Sequence, residues 1–205
     1  SPPTSAAHRR SMRASPAPEH SHSNAVAEHF LMLYAQARPN ARIETLDVWR
    51  TALPAFDAEM IAAKFAVLRS QDATPAQRAR WDGARALAHR FNATDLFVFS
   101  VPMWNFSIPY RLKHFIDVVT LPGENWSWSR AEGYRALLRG KRALLVYSSA
   151  GDYPADGSDA SDFQKAYLRR WLAFIGIGDV IEIDVAPTLA APAAVRFTDW
   201  CSLTF

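Results

Sequence analysis

The sequence contains little cysteine and no long apolar run, and both absences narrow the class of protein. Its 205 residues include one cysteine, Cys201, which excludes an internal disulfide framework and fits a reducing compartment. No apolar run approaches the roughly 18 residues that a membrane-spanning helix needs. The sequence therefore predicts a cytoplasmic protein that does not use a membrane as a partner.

Excess charge and several common site motifs are also absent. The formal net charge of +3 is too small to indicate a nucleic-acid partner, although a basic leader that binds nucleic acid stays an alternative. No G-x-G-x-x-G follows a predicted strand and no G-x(4)-G-K-[ST] occurs, so Rossmann and P-loop sites lack support. His20 and His22 have no further ligand at metal spacing, and residues 152–162 lack the spacing of a calcium loop. We therefore expect no metal site.

Helical and extended patterns alternate along the chain. Unbroken apolar runs at 94–102 and 142–149 are typical of strands that are covered on both faces. Runs with interspersed polar residues at 41–48 and 179–185 are typical of edge strands. Amphipathic helical patterns, several of them preceded by capping residues, lie between the runs. This order predicts a parallel sheet with helices on both faces.

The segment VPMWNFSIPYRLKHFID, residues 101–117, leads from a buried strand into a helix. In parallel α/β sheets, ligands bind beyond the carboxyl ends of the strands, where the winding reverses. Trp104 and Phe106 offer flat apolar faces, and Asn105 offers both a donor and an acceptor. These groups suit a planar heteroaromatic ring such as a flavin. The same residues could instead close the end of the core, with Asn105 capping the helix.

The segment closely resembles the P-M-[YW]-N-F-x-[IV]-P-x-x-L-K-x-[YFW]-[IFL]-D motif of the FMN-dependent NADH:quinone oxidoreductases, the azoreductase family. Residues 15–30 resemble the S-P-x(3–4)-S-x-S segment of this family, and YSSAG at 147–151 resembles its S-[RS]-G-G loop. FIGIGDV at 174–180 and the segment 123–141 also match family patterns. The resemblance covers about residues 15–190.

The resemblance implies a fold, an activity and an assembly. The fold is a flavodoxin-like three-layer α/β/α sandwich with a five-stranded parallel sheet in the order 2-1-3-4-5, and residues 15–189 would form the FMN-binding domain. The activity is ping-pong hydride transfer from NADH through FMN to quinones or aromatic azo compounds. The assembly is a homodimer with its two sites at the subunit interface.

The resemblance also implies which residues form the site. Because the flavin carries the reaction, we expect no catalytic side chain. Matched to the phosphate-binding segment are Ser15, Ser21 and Ser23, with His22 between them as a basic neighbour or an exposed loop residue. Matched to the segment that cradles the isoalloxazine are Pro102, Met103, Trp104, Asn105 and Phe106. Matched to the loop along its other edge are Ser148, Ser149, Ala150 and Gly151. Trp126 and Trp128 match an aromatic pair on the substrate side, or pack in a lid or dimer interface.

Both ends of the chain depart from the family pattern. An apolar first strand should precede Ser15, but the sequence there reads AHRRSMRASP. Burying unpaired arginines in a central strand is costly, so the first strand is predicted to be missing or badly formed. Residues 1–14 are then a disordered or divergent leader, and residues 190–205 are a divergent tail.

Two other functions stay open at this point. A chain without its first strand could be a non-catalytic or defective flavodoxin-like paralogue that serves as a dimerising scaffold. An NADPH-using quinone or nitro reductase of the same superfamily would share most of these motifs.

Overall fold

The fold is described from a computed structural model, for residues 8–69, 73–154, 156–189 and 195–197. Helices and strands alternate through most of the chain, as the sequence predicts. The strands are β1 (His8–Arg13), β2 (Arg42–Asp47), β3 (Leu96–Pro102), β4 (Trp126–Ser129), β5 (Gly133–Ala136), β6 (Arg142–Ser148), β7 (Asp179–Val185) and β8 (Val195–Phe197). The α-helices are α1 (His22–Ala37), α2 (Ala58–Leu68), α3 (Pro75–Asn92), α4 (Tyr110–Val119) and α5 (Phe163–Ile175).

One sheet has the strand order β2-β1-β3-β6-β7-β8, and β4 and β5 form a separate antiparallel hairpin. The first five strands of the large sheet are parallel, whereas β8 is antiparallel to β7. When only the parallel strands are counted, the order is the predicted 2-1-3-4-5. The flavodoxin-like fold class is therefore confirmed.

Helices cover both faces of the sheet, and each face has its own apolar core. On one face, Ala27 and Leu31 of α1 pack with Val98 of β3. On the other face, α3, α4 and α5 pack against Phe97 and Phe99, which point away from Val98 because side chains alternate along a strand. This two-sided burial explains why the run at 94–102 shows no polar alternation.

The prediction of a missing or badly formed first strand is wrong for residues 8–13. These residues form β1, which pairs in parallel with both β2 and β3. The side chain of Arg10 is 5% exposed, and it donates to Glu44 Oε2 at 2.8 Å and to the Arg90 carbonyl at 2.6 Å. The desolvation argument assumed an unpaired guanidinium, but the fold supplies two acceptors for it.

The other two arginines of β1 also have partners. Arg9 donates from Nε to the Tyr34 hydroxyl at 2.8 Å, and Arg13 forms an ion pair with Glu28 at 2.7 Å. Both partners belong to α1, so this helix supports β1 along one face. The part of the predicted leader at residues 1–7 lies outside the described residues.

β7 is not the edge strand that its alternating pattern predicts, because β8 pairs with residues 183–185. Two of its acidic side chains, Glu182 and Asp184, are buried and held by cations of α5. Glu182 accepts hydrogen bonds from Nε and Nη2 of Arg169, and Asp184 lies 3.4 Å from Lys165 Nζ. β8 belongs to the predicted divergent tail, of which residues 190–194 and 198–205 lie outside the described residues.

Across the described ranges, no helix combines the length and the apolar composition needed to cross a bilayer.

Candidate functional site

The candidate site is built from the loops that follow β1, β3 and β6, three neighbours in the sheet. β1 and β3 leave the sheet side by side, since the N–H of Ala14 donates to the Ser100 carbonyl at 3.1 Å. The chain turns from β1 towards β2 on one side and continues through β3 and β6 on the other. This is the place where open parallel sheets bind ligands.

The loop after β1 leads to a helix start that is rich in hydroxyl groups. Ser21 is the N-cap of α1, and its Oγ accepts from the Asn24 N–H at 3.3 Å and lies 3.2 Å from Ser23 Oγ. Ser23 and Ser15 are buried, whereas His22 is exposed. Unpaired N–H groups and the helix dipole make such an end favourable for an anion. This geometry suits a phosphate group.

The loop after β3 contains a strained turn. The N–H of Trp104 donates to the Ser107 carbonyl at 2.8 Å, and the Ser107 N–H donates back at 3.0 Å. Asn105 and Phe106 have φ angles of 46° and 69°, so both lie in the left-handed region of a type I′ turn. Asparagine tolerates this region, but it costs a residue such as phenylalanine about 1–2 kcal/mol. Strain of this kind concentrates at functional sites, where the surroundings enforce it.

Neighbouring elements hold the strained turn in place. The first N–H of α5, from Phe163, donates to the Phe106 carbonyl at 2.9 Å. The Met103 N–H donates to the Ser148 carbonyl at 2.7 Å. The buried side chain of Gln164 donates to the Val101 carbonyl at 3.0 Å. The turn is therefore fixed relative to both β6 and α5.

A cleft of about 220 Å³ separates the loops after β3 and β6. It is lined by Met103, Asn105, Phe106, Ala150, Gly151 and Tyr153. The wall is close at Gly151, where a Cβ would lie 3.2 Å from Tyr153 Cε2. Ser149 Oγ donates to the Gly151 carbonyl at 2.9 Å and shapes this wall. The structure thus brings the two predicted ring-side segments together, with Pro102 as the last residue of β3.

The residues at this cleft fit a flavin ring. Trp104 is 36% exposed and Phe106 is 53% exposed, so two aromatic side chains remain available at the mouth of the sheet. Asn105 provides an amide at the tip of the turn, between these two rings. Together with the hydroxyl-rich helix start, this arrangement suits a planar ring with polar edges and a phosphate tail.

A larger groove of about 790 Å³ lies beside Trp104 and Asn105. Its other lining residues include Phe56, Tyr110, Lys113, His114, Asp117 and Tyr167. Burial, with a smaller contribution from the charge of Asp117, raises the pKa of Tyr167 to about 12. The phenol therefore stays protonated at neutral pH and can donate a hydrogen bond. The volume lies in the range typical of small-molecule sites.

Trp126 and Trp128 lie on a separate hairpin and not in the loops after β1, β3 and β6. Trp126 belongs to the β4–β5 hairpin, and its ring centroid is 5.6 Å from that of Phe174, near the end of α5. The start of α5 contacts Phe106, and a helix of 13 residues is about 20 Å long. Trp126 also lines a smaller pocket that shares Phe56 and Asp117 with the groove beside Asn105. Trp128 is 59% exposed.

The sequence reasoning missed several residues that support the site, above all Trp49. Its indole N–H donates to the Ala14 carbonyl at 2.9 Å, and its ring packs beside Trp104. The available signal was its position, because Trp49 follows β2 at the same edge of the sheet as the two loops. Phe163 and Gln164 gave no comparable signal, because their contacts with the turn depend on the docking of α5.

No group of three or more His, Cys, Asp or Glu side chains forms a candidate metal centre in the part of the chain that the structure describes.

Comparisons with known proteins extend over most of the chain. A family profile described as flavodoxin-like fold matches residues 12–196. The chain is 40% identical over 183 residues to an FMN-dependent NADH:quinone oxidoreductase of Desulfotalea psychrophila, covering 89% of this chain and 86% of the relative. It is also 40% identical over 181 residues to a protein with the same description from Nitratidesulfovibrio vulgaris, covering 87% and 86%.

Solved structures agree with this fold. An FMN-dependent NADH-azoreductase from Bacillus anthracis, solved in complex with FMN, superposes with a TM-score of 0.81. The match covers 91% of this chain and 90% of that chain at 24% identity. At this level of identity, the likeness concerns the fold.

Proposed function

This chain belongs to the flavodoxin-like family of FMN-dependent NADH:quinone oxidoreductases, and we propose that it binds FMN at the loops after β1, β3 and β6. It would use NADH to reduce quinones and aromatic azo compounds. The strained turn at residues 104–107 carries the proposal, because its two left-handed non-glycine residues line the cleft between the loops after β3 and β6. Such a turn lowers the stability of the protein, and strain of this kind is found where it serves ligand binding.

The assignment of residues to FMN follows the geometry of the three loops. Ser15, Ser21 and Ser23 would hold the phosphate, with exposed His22 beside them. Residues 102–106 and 148–151 would hold the two edges of the ring. When bound, FMN supplies the hydride and electron transfer that connects NADH with the acceptor. We therefore assign no acid–base dyad to the protein.

The described residues of this chain bind and orient the ring. Asn105 offers a donor and an acceptor at a fixed position, because the turn that presents it is tied to α5 and β6. Trp104 and Phe106 shield one end of the site from water with their apolar faces. The large groove beside Asn105 would take the nicotinamide and the acceptor in turn, as a ping-pong order requires.

We further propose a homodimer in which each chain completes the substrate pocket of its partner. Trp126 and Trp128 lie on the β4–β5 hairpin, which packs at the end of α5 opposite the strained turn. Tyr110, at the start of α4, is strongly exposed beside that site. Burial of these rings between two copies would remove exposed aromatic surface and bring the tryptophan pair to a flavin.

Two smaller assignments complete the proposal. We place the FMN-binding domain at residues 8–189, which adds β1 to the predicted span 15–189. We place its activity in the cytoplasm, in keeping with the single cysteine.

Cofactor uptake by the purified protein tests the function. We expect one FMN to bind per folded chain, NADH to bleach its absorbance without oxygen, and a benzoquinone or an azo dye to restore it. Parallel double-reciprocal plots would support the ping-pong order, and a comparison of NADPH with NADH tests the alternative donor. Folded protein that takes up no FMN would support the scaffold alternative instead.

Substitution of Asn105 tests the ring assignment. Asn105→Ala should weaken FMN binding about tenfold, because it removes both ring-facing hydrogen-bonding groups. Asn92→Ala is the matched control, since Asn92 is an amide at the end of α3 that contacts Glu124 and Asn125. Equal FMN affinity in the two variants would contradict the assignment of Asn105.

A further inference from the structure

We propose that Trp49 is a positioning residue that fixes the phosphate-side loop and the ring-side loop of the FMN site relative to each other. The inference rests on the proposed function, and it concerns a residue outside the motifs that led to it. Trp49 follows β2 and reaches both loops with different parts of one side chain.

The first contact of Trp49 is a hydrogen bond to the phosphate-side loop. Its Nε1–H donates to the Ala14 carbonyl at 2.9 Å, and Ala14 is fully buried directly before Ser15. In a trans peptide, the carbonyl and the following N–H point in opposite directions. Anchoring the Ala14 oxygen therefore also fixes the direction of the Ser15 N–H, which is a potential phosphate donor.

The second contact of Trp49 is aromatic packing against the ring-side loop. The ring centroids of Trp49 and Trp104 are 5.6 Å apart, and those of Trp49 and Tyr110 are 5.2 Å apart in an edge-on arrangement. These distances are typical of favourable aromatic pairs. Trp104 opens the strained turn, so Trp49 forms the support behind the residue that leads into Asn105 and Phe106.

The backbone of Trp49 is itself held firmly. Its N–H donates to Asp47 Oδ1 at 2.8 Å. The guanidinium of Arg111, in the first turn of α4, donates to the carbonyls of Val48 and Thr51 at 2.7 Å each. Trp49 is thus a rigid spacer between two loops that must bind opposite ends of one ligand.

The two contacts predict separable effects on two ligands. FMN carries a phosphate, whereas riboflavin has the same ring without it. Loss of the indole N–H should therefore weaken FMN selectively, because only the phosphate-side loop loses its anchor. Loss of the whole aromatic ring should weaken both ligands.

The experiment titrates apoprotein with FMN and with riboflavin and follows the quenching of flavin fluorescence. Trp49→Phe should weaken FMN about tenfold and riboflavin less than about twofold, since one hydrogen bond is removed and the ring is kept. Trp49→Leu should weaken both ligands. Unchanged selectivity in folded Trp49→Phe would overturn the inference.

Trp171→Phe is the matched control. Trp171 also donates its indole N–H, to Thr120 Oγ1 at 2.9 Å, but it belongs to α5 and is buried in the core, away from both loops. It should lower thermal stability without changing the ratio of FMN to riboflavin affinity. If Trp49→Phe behaves in the same way, Trp49 is only structural and the inference fails.

A second variant covers the case in which Trp49→Phe does not fold. Arg111→Lys keeps Trp49, but a lysine ammonium cannot replace the planar guanidinium that donates to two carbonyls at once. The backbone around Trp49 should become less rigid, and the preference for FMN over riboflavin should fall, as it does in Trp49→Phe. An unchanged preference would overturn the inference. Wild-type protein that binds neither flavin would overturn the proposed function, which distinguishes that failure from this one.

Discussion

β1 and β3 are neighbouring parallel strands at the centre of one sheet, yet different forces hold them there. β3 has the sequence LFVFSVP and buries apolar side chains on both faces. β1 has the sequence HRRSMR, and each of its three arginines has a polar partner in another element. The comparison shows that the side chains on both faces of a central strand need favourable partners. Apolar packing provides them in β3, and ion pairs and hydrogen bonds provide them in β1.

The largest expected effect lies in β3. Phe99 is fully buried, and its ring packs against Phe97 and Trp171 at centroid distances of 5.9 Å each. Phe99→Ala should lower the free energy of unfolding by about 3–5 kcal/mol, because it leaves a cavity between the sheet and α5. Urea denaturation measures this loss. Leu33→Ala, at an exposed position of α1, is the control and should change stability by less than about 0.5 kcal/mol.

The next effect lies in β1 and should be asymmetric. Glu44→Gln leaves the buried Arg10 without a charged partner, so it should lower the free energy of unfolding by about 2 kcal/mol. Arg10→Met removes the buried charge and keeps an apolar stem, and Glu44 retains its ion pair with Arg90. We expect that variant to cost less than about 1 kcal/mol. A larger loss in Arg10→Met would show that β1 depends on the guanidinium itself.

The same contrast explains which strands the sequence reveals. The run at 94–102 can be read as a buried strand because its own residues carry the pattern. β1 cannot, since the acceptors that satisfy Arg10 lie 34 and 80 positions away, in β2 and α3. Burial of a charged side chain can be predicted from sequence only when its partner is local. The family resemblance indicated that a strand should precede Ser15, but it did not indicate that ion pairs would hold the arginines of that strand.

The site shows a similar division. The motif at 101–117 predicts that Asn105 and Phe106 lie at the end of a strand, and the structure places them there. The left-handed conformation of Phe106 is not visible in the sequence, because it is imposed by α5 and β6. The position of Trp126 is likewise a property of the whole fold, set by how the hairpin packs on Phe174 of α5.

The loop after β3 provides a smaller test of the comparison. Phe106→Gly should either leave the free energy of unfolding unchanged or raise it by at most about 1 kcal/mol. The reason is that relief of left-handed strain in the folded state offsets the added flexibility of the unfolded chain. Phe163→Gly, at a similarly exposed residue that begins α5, has no left-handed strain to relieve and should lower it by about 0.4–1 kcal/mol. Thermal unfolding of both variants measures the contrast. Equal destabilisation would mean that the turn is unstrained.

The smallest effect is the acid sensitivity of β1. Hydrogen bonding from Arg10, assisted by Arg90, holds the pKa of Glu44 below its ordinary value of 4.5. A lowered carboxyl pKa contributes stability that is complete above the unfolded pKa and is lost as the pH falls through the folded one. The gap in unfolding free energy between the wild type and Glu44→Gln should therefore narrow between about pH 5 and pH 3.

The acid-sensitivity measurement separates the two strands, because the apolar contacts of β3 carry no titrating group. The gap between wild type and Phe99→Ala should stay constant over the same pH range, whereas the gap for Glu44→Gln shrinks. Denaturant curves at several pH values provide both gaps. A pH-independent gap for Glu44→Gln would mean that the carboxylate charge adds nothing to β1, and that hydrogen bonding alone holds Arg10 in the sheet.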